Sequence, residues 1–392
     1  MKKLSIGLVL NYWSGWGGGI NFIANILSNL SEQEFSVFPM LRVSPDLLGE
    51  SPFLELSSSQ LTGLPVSEIL ELSSQSRIIA FHSHSAALNA LSLDFIGFCG
   101  GIPPAEVRDS WVGYLPDFQH AYIPYNFSAQ ERSDRDRLFR AILEDSVLTL
   151  VNSVEVQADA VRFYPGVMRT ARLWIMPRIL PHLQLFDIAV RGGLDLKERQ
   201  YFISCSQAWP HKRHDLIVEA FAEFRQQNQL HAEMKLVFTA SRDAYNDPDA
   251  RQKMDDAVAA HGLESSVLFT GSLTKQEQLH LISNAACLLQ ASECEGGPGA
   301  SGMLEAAMLD VPIIASDIRV NREMDFGKIT FFSAGSQQAL SRKMVEFMLQ
   351  PEIKAPRRLV TPDEIEINRR YFSSRLKALL GSLVYARLAS NT

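Results

Sequence analysis

Residues 287–307 read Cys287-Leu288-Leu289-Gln290-Ala291-Ser292-Glu293-Cys294-Glu295-Gly296-Gly297-Pro298-Gly299-Ala300-Ser301-Gly302-Met303-Leu304-Glu305-Ala306-Ala307. The stretch opens on a short apolar run of strand length, passes through a glycine-rich loop between two acids, and ends in the small residues of a helix start. A second apolar run, Pro312-Ile313-Ile314-Ala315, follows at once. Strand, loop, helix and strand in so short a span predict a βαβ unit with parallel strands. Outward from it the alternation continues. Strands are expected at 200–204, 235–239, 267–270, 287–290 and 312–315, and helices at 215–225, 249–261, 276–286 and 301–309.

A separate series occupies the first part of the chain. Buried strands are expected at 4–10, 35–41, 77–84, 111–115 and 147–151, with helices at 20–30 and at 132–144, where Leu138, Ile142 and Leu143 share a face. Between the two series, residues 165–198 hold Pro165, Pro177, Pro181, Gly192 and Gly193 and no long periodic segment, so the domain boundary belongs there. The expected fold class is α/β, with two tandem βαβ domains whose parallel sheets are covered on both faces. The domains are set at 1–180 and 199–360, joined by a linker at 181–198. A helix within 361–392 carries Leu376, Leu379, Leu380 and Leu383 on one apolar stripe.

Composition narrows the function classes. The 392 residues are 46% hydrophobic and 21% charged, which excludes collagen-like, coiled-coil and largely disordered chains. No apolar run approaches the ~18–20 residues of a membrane span. Met1-Lys2-Lys3 and the apolar residues 4–10 look like the start of a signal peptide, but they run into Asn11-Tyr12-Trp13 with no small-x-small cleavage site. A buried first strand and a cytoplasmic protein are expected. Cys99, Cys205, Cys287 and Cys294 are scattered, which argues against a zinc ribbon and against disulfides. The net charge of -7 disfavours nucleic acid as a partner. The deficit holds in both halves, with 13 basic and 18 acidic residues in 1–180, then 24 and 26 in the rest.

Several motifs sit at expected strand ends. Gly15-Trp16-Gly17-Gly18-Gly19 follows the first strand and opens a helix, where the backbone can approach a phosphate or a sugar closely. The dinucleotide fingerprint needs a further glycine where Ile20 stands, and the second strand ends without an acid, so a nicotinamide cofactor is disfavoured. His82 and His84 end the 77–84 strand, where i and i+2 share a face. They lack a third zinc ligand and fit a sugar or phosphate contact, or ordinary partly buried histidines. Pro116-Asp117-Phe118-Gln119-His120 follows another strand. There Asp117 and His120 either position a substrate hydroxyl or form a structural loop with Asp117 as a cap.

Two Asp-x-Asp triplets are rejected as metal sites. Asp134 and Asp136 fall at i and i+2 of a helix, and Asp247 and Asp249 at a helix start suit capping. Trp209-Pro210-His211-Lys212-Arg213-His214 joins a strand to a helix and suits a diphosphate, because the lysine charge and the helix N-terminus reinforce each other. In the 293–307 stretch, loop peptides can bind phosphate and each glutamate can accept from a pair of sugar hydroxyls.

These residues carry a family resemblance. The stretch 288–323, with its acid–glycine–Leu304-Glu305-Ala306 core and Val311-Pro312-Ile313-Ile314-Ala315-Ser316-Asp317, resembles the nucleotide-sugar site of the family-4 glycosyltransferases. Pro116 to His120 and the run at 209–214 resemble a bacterial branch of that family. The resemblance implies a GT-B fold: two Rossmann-like domains across a cleft, the first for acceptor, the second for donor, with the last helix returning to the first. It implies retention of configuration, no required metal and no cofactor.

By the same carry-over, Glu305 binds the donor ribose, Glu295 the hexose hydroxyls and Lys212 the diphosphate. His84 touches the donor sugar near the reacting carbon; with the hydroxyl-positioning His120 and with Glu295 it makes up the expected catalytic set. Gly17, Gly18 and Gly19 line the cleft, while His211, Gly297, Gly299, Ser301 and Gly302 complete the donor site. Two departures stand out: nine residues rather than seven separate the glutamates, and Gln207 replaces an arginine five residues before the lysine. The implied partners are a nucleotide-diphosphate sugar, a UDP-hexose by preference, and a saccharide or polyprenyl-linked saccharide acceptor. The latter brings a peripheral contact at the inner face of the membrane. A catalytically inactive nucleotide-sugar-binding subunit is the alternative.

Overall fold

The computed structural model describes residues 3–13, 17–61, 65–73, 77–181, 196–227, 233–240, 248–271, 273–298, 301–350 and 356–390. Most of the expected linker, 182–195, therefore lies outside the described residues. The chain divides into two compact units. One holds Met1–Phe118, Ser128–His182 and Thr361–Thr392, and the other Gln119–Phe127 and Leu183–Val360. The loop carrying His120 thus groups with the second unit rather than with residues 1–180.

The first unit is built on an eight-stranded sheet. Its strands are β1 (Leu4–Val9), β2 (Phe35–Arg42), β3 (Phe53–Ser57), β4 (Arg77–Phe81), β5 (Phe95–Cys99), β6 (Trp111–Leu115), β7 (Leu148–Val151) and β8 (Leu173–Ile175). They lie in the order β3-β4-β2-β1-β5-β6-β7-β8. The pairing is parallel except at the edge, where β3 runs antiparallel to β4 from Phe53 opposite Phe81 to Ser57 opposite Arg77. A wholly parallel sheet was expected. The exception has a physical reason: β3 is a half-exposed edge strand, and a strand not covered on both faces can pair antiparallel.

Helices α1 (Gly17–Asn29), α2 (Pro65–Ser73), α3 (His84–Ala90), α5 (Ala129–Asp145) and α6 (Val154–Phe163) cover this sheet, while the short α4 (Gln119–Tyr122) groups with the second unit. Two boundaries at motif residues differ from the sequence reading. Gly17, Gly18 and Gly19 form the first turn of α1 rather than a loop ahead of it. β4 ends at Phe81, and Ser83 caps α3 by accepting a hydrogen bond from the Ala86 N–H at 3.3 Å. His82 and His84 therefore do not share a strand face. Helix α5 starts at a reciprocal cap in which Ser128 Oγ accepts from Glu131 N and Glu131 Oε2 accepts from Ser128 N.

The second unit holds β9 (Tyr201–Ser204), β10 (Lys235–Phe238), β11 (Val267–Phe269), β12 (Cys287–Gln290), β13 (Ile313–Ser316) and β14 (Ile329–Phe332). All are parallel, in the order β11-β10-β9-β12-β13-β14. Helices α7 (His214–Gln227), α8 (Pro248–Ala260), α9 (Lys275–Asn284), α10 (Ser301–Met308) and α11 (Arg319–Arg322) connect them, and α12 (Gln337–Met348) follows β14. Alternate residues of each central strand enter opposite cores. Phe202, Leu236 and Leu289 pack with Phe221, Phe224, Leu340 and Met344, whereas Ile203, Val237 and Leu288 pack with Leu279, Ile282, Met303 and Leu309. That division is why these strands read as unbroken apolar runs.

The last helix, α13 (Pro362–Ser390), belongs to the first unit. It places Phe372, Leu376 and Leu380, all fully buried, among Leu4, Ile26, Leu27 and Leu30. Polar contacts fix its register. Ser373 Oγ accepts from Ser31 N at 3.0 Å, Asn368 Oδ1 accepts from Leu180 N at 2.9 Å, and Arg387 donates to Ser110 Oγ at 2.8 Å.

Candidate active site

In the second unit the chain leaves β9 for β10 on one side and leaves β12 for β13 on the other, yet β9 and β12 are neighbours. Phe202 pairs with Cys287 and Ile203 with Leu288. Loops that leave the carboxyl ends of two such strands diverge and open a crevice between them, the usual place for a ligand in an open α/β sheet. One loop carries Lys212 and the other Glu295, 83 residues apart in sequence. They meet: Lys212 Nζ lies 2.5 Å from Glu295 Oε1, with the two side chains 13% and 9% exposed. Gln290 Nε2 donates to the same oxygen at 2.9 Å and also to Ser292 Oγ at 2.8 Å. Burial pushes the Glu295 carboxyl up, but the Lys212 charge and hydrogen bond, helped by Ser292 and His211, outweigh it and hold the group below its ordinary range.

The neighbouring basic residues do not add free charge. Arg213 takes a left-handed backbone conformation, φ 52°, which costs a non-glycine residue of order 1–2 kcal/mol. Its guanidinium is held by Asp215 at 3.0 Å and Glu293 at 2.5 Å, and these partners raise its pKa. Tyr125, carried by the segment that groups with this unit, donates to Glu293 Oε2 at 3.4 Å. His211 is buried, and burial together with the Lys212 charge lowers its pKa to about 4. His214 lies 2.7 Å from Ser206 Oγ, and its burial takes its pKa to about 3. At neutral pH both imidazoles are neutral, so His211 brings no charge for a diphosphate.

Glu305 lies in the second turn of α10, 4% exposed. Lys275 Nζ, on the first residue of α9, is 2.7 Å from Oε1, and Gln278 Nε2 donates to Oε2 at 2.9 Å. Thr274 and Glu277 form a reciprocal cap that starts α9 at Lys275 and so fixes where the ammonium emerges. Gly302 brings α10 against the end of β9. A Cβ there would lie 3.1 Å from the Cys205 carbonyl oxygen, tighter than a side chain tolerates without displacement. Lys275 and Gln278 were not singled out in the sequence. The Thr274-x-x-Glu277 cap was the available signal, since it puts a helix N-terminus, and hence two side chains, at the strands' carboxyl edge.

In the first unit, Gly17, Gly18 and Gly19 open α1 after β1, and His84 opens α3 after β4. His84 is 4% exposed, edge-on to Phe81 and Trp111 with ring centroids 5.1 and 5.2 Å away. Burial and the charge of Arg42 lower its pKa to about 4, and its Nε2 has no hydrogen-bond partner among the described residues. His120 is buried in the second unit. Gly297 lies in the loop after β12, whereas Gly299 and the side chain of Ser301 lie outside what is described. Of the rejected triplets, Asp134 pairs with Arg137 at 2.7 Å and Asp136 accepts from the Tyr164 hydroxyl at 2.7 Å, so the two carboxylates serve different partners. Asp247 lies outside the described residues. No cluster of three or more His, Cys, Asp or Glu that could hold a metal occurs among the described residues.

Lys212, Glu295, Lys275 and Glu305 all fall in one stretch of known kind. Residues 190–361 match the glycosyl transferases group 1 family. The solved structures extend the likeness to the whole chain. Sucrose-phosphate synthase from Thermosynechococcus elongatus is 16% identical, covers all of both chains and superposes with a TM-score of 0.61. HepE of Anabaena, solved with UDP and glucose, is 14% identical over 97% of this chain and 100% of its own, with a TM-score of 0.63. A glycosyltransferase from Rickettsia africae is 11% identical over 99% and 98%, with a TM-score of 0.60. At such identities the likeness concerns the fold alone, and that fold is GT-B, two Rossmann-like α/β domains. No curated protein matches in sequence.

Proposed function

We propose that the protein is a retaining glycosyltransferase that moves a hexose from a nucleotide-diphosphate sugar, a UDP-hexose by preference, to a saccharide or lipid-linked saccharide acceptor. One observation carries this reading: two buried carboxylates, Glu295 and Glu305, each held by its own lysine within the stretch that matches the group 1 transferases. Carboxylates held in this way can accept from sugar hydroxyls. In the proposed assignment Glu305 takes the ribose, Glu295 the hexose and Lys212 the diphosphate, with α10 presenting its N-terminal dipole to the same anion. His84, neutral and buried, offers a ring nitrogen to the sugar. Gly17 to Gly19 let the first turn of α1 approach the substrate closely. Transfer then proceeds on the front face: the acceptor oxygen bonds to the anomeric carbon as the bond to the leaving phosphate breaks, and that phosphate takes the acceptor proton. The protein stabilises the charge that develops. No helix among the described residues is long and apolar enough to cross a membrane, and a lipid-linked acceptor would be met at the surface of the bilayer.

The test is a melting screen with UDP-, GDP- and ADP-sugars, in which a ligand at a hundred times its dissociation constant stabilises by about 2.7 kcal/mol. Glu305→Gln should weaken UDP and UDP-hexose together, by one to two orders of magnitude, at ~1.5–3 kcal/mol for each charge-assisted bond weakened. Glu295→Gln should leave UDP undiminished while slowing transfer. UDP affinity within twofold of wild type in Glu305→Gln would overturn the nucleotide assignment. A second reading, an inactive binding subunit, is favoured by the nine-residue spacing of the glutamates and by Gln207. Donor hydrolysis separates the two, because only the enzyme turns the donor over.

A further inference from the structure

We infer that Lys275 and Gln278 are positioning residues that orient Glu305 toward a ribose diol, so that the site selects ribonucleotides over 2′-deoxyribonucleotides. The inference rests on the assignment of Glu305 to the nucleotide. Its basis is geometric. A carboxylate that must accept from two adjacent hydroxyls needs both oxygens turned to the ligand, and a second-turn glutamate on a helix is otherwise free to rotate. Here each oxygen has one fixed donor: Lys275 Nζ at 2.7 Å on Oε1 and Gln278 Nε2 at 2.9 Å on Oε2. Both donors come from the first turn of one helix, whose start is set by the Thr274–Glu277 cap. Each carboxylate oxygen can accept a further bond, so the arrangement leaves one acceptor site per oxygen for a diol.

A purely structural ion pair is the competing account. The seam between α9 and α10 does not require one. Leu279, Leu281 and Ile282 of α9 already pack with Met303, Ala306 and Ala307 of α10 in a buried apolar cluster. The polar group lies instead at the carboxyl edge of the sheet, beside the close approach of Gly302 to Cys205. Lys275 and Glu305 both act electrostatically on the Cys205 thiol, which burial raises to about 12. A buried carboxylate with two dedicated donors at the edge where ligands bind is an arrangement for holding an acceptor in place.

The experiment compares UDP with 2′-deoxy-UDP by calorimetric titration in wild type, Lys275→Met, Lys275→Arg and Gln278→Leu. Wild type should prefer UDP, by about tenfold for the loss of one hydrogen bond to a charged acceptor. Lys275→Met should lose about tenfold or more in UDP affinity while 2′-deoxy-UDP changes less, so that the preference narrows. Lys275→Arg should restore most of it. Gln278→Leu, which leaves the ion pair intact, should narrow the preference by a smaller factor and keeps the test valid if Lys275→Met folds poorly. Equal losses for both nucleotides would mean that Lys275 acts on phosphate and would overturn the inference, as would an unchanged preference in both variants. If wild type binds neither UDP nor any other nucleoside diphosphate, the assignment of Glu305 fails first.

Discussion

Replacing Lys212 by methionine removes one partner from a buried ion pair and leaves the other. Glu295 Oε1 would keep only the Gln290 amide at 2.9 Å, with 9% of its side chain exposed. An uncompensated buried charge of this kind costs about 3–5 kcal/mol. A domain of 150–250 residues loses ~2–4 °C of melting temperature per kcal/mol, so the second unit should melt roughly 6–20 °C earlier. The pH dependence has a definite sign. In wild type the Glu295 carboxyl sits below its ordinary value of 4.5, so its contribution is present above that pH and fades as acid takes it through the lowered value. In Lys212→Met the two largest lowering causes are gone and only Ser292 and His211 oppose burial, which moves the carboxyl up. The variant's deficit should then be largest at neutral pH and shrink as the pH falls and the stranded group takes up a proton. The double variant Lys212→Met with Glu295→Leu replaces both charges by apolar groups and should recover most of the loss. Calorimetric scans at pH 5 and 7.5 decide the matter. A Lys212→Met melting temperature within ~2 °C of wild type, or a deficit equal at both pH values, would refute the buried-charge reasoning.

Two further outcomes are expected. Transfer should survive EDTA undiminished, because Lys212 and the α10 N-terminus rather than a divalent ion are assigned to the diphosphate; activity lost to EDTA and restored by magnesium or manganese would exclude this. Leu376→Ala should destabilise the first unit by about 2–5 kcal/mol without altering UDP affinity, since a fully buried leucine there fills the core between α13 and α1.

Much of the fold was legible because the central strands are covered on both faces. Residues 111–115 and 287–290 are apolar at nearly every position and were placed as β6 and β12 to the residue. Strands that are short, exposed or polar gave no such signal. β3 alternates Glu55 and Ser57 with half-exposed neighbours, and β14 carries Thr330, so neither was found; β8, three residues long, was missed too, as was β5, buried throughout, whose short apolar run is interrupted by Gly97. The His-Ser-His reading failed for a local reason: Ser83 caps a helix, and a cap three residues before a short run of small residues competes directly with strand continuation. At the candidate site, residue types that could carry chemistry were visible as motifs, but their partners were not. Nothing in the sequence sets Lys275 against Glu305, because that contact depends on α9 and α10 crossing beside β9, and strand order is not written in local pattern.

The charge arrangement of the second unit also constrains how a donor could enter. Lys212, Arg213 and Lys275 face Glu295, Glu293, Asp215 and Glu305, so three cations are already matched by four carboxylates. None of these three cations is therefore left unneutralised for a diphosphate, and Gln207 supplies no charge where the family resemblance would place an arginine. For Lys212 to reach the phosphates it must leave Glu295, and Glu295 then needs replacement donors or a proton. A hexose provides them through its hydroxyls, while free nucleoside diphosphate does not. Exchange of partners thus couples the two halves of the proposed donor: the phosphates take the lysine as the sugar takes the glutamate. The longer loop between the acids is compatible with this. The extra residues precede α10, whereas Glu305 is fixed by the helix and Lys275, so lengthening the loop leaves each carboxylate on its own lysine.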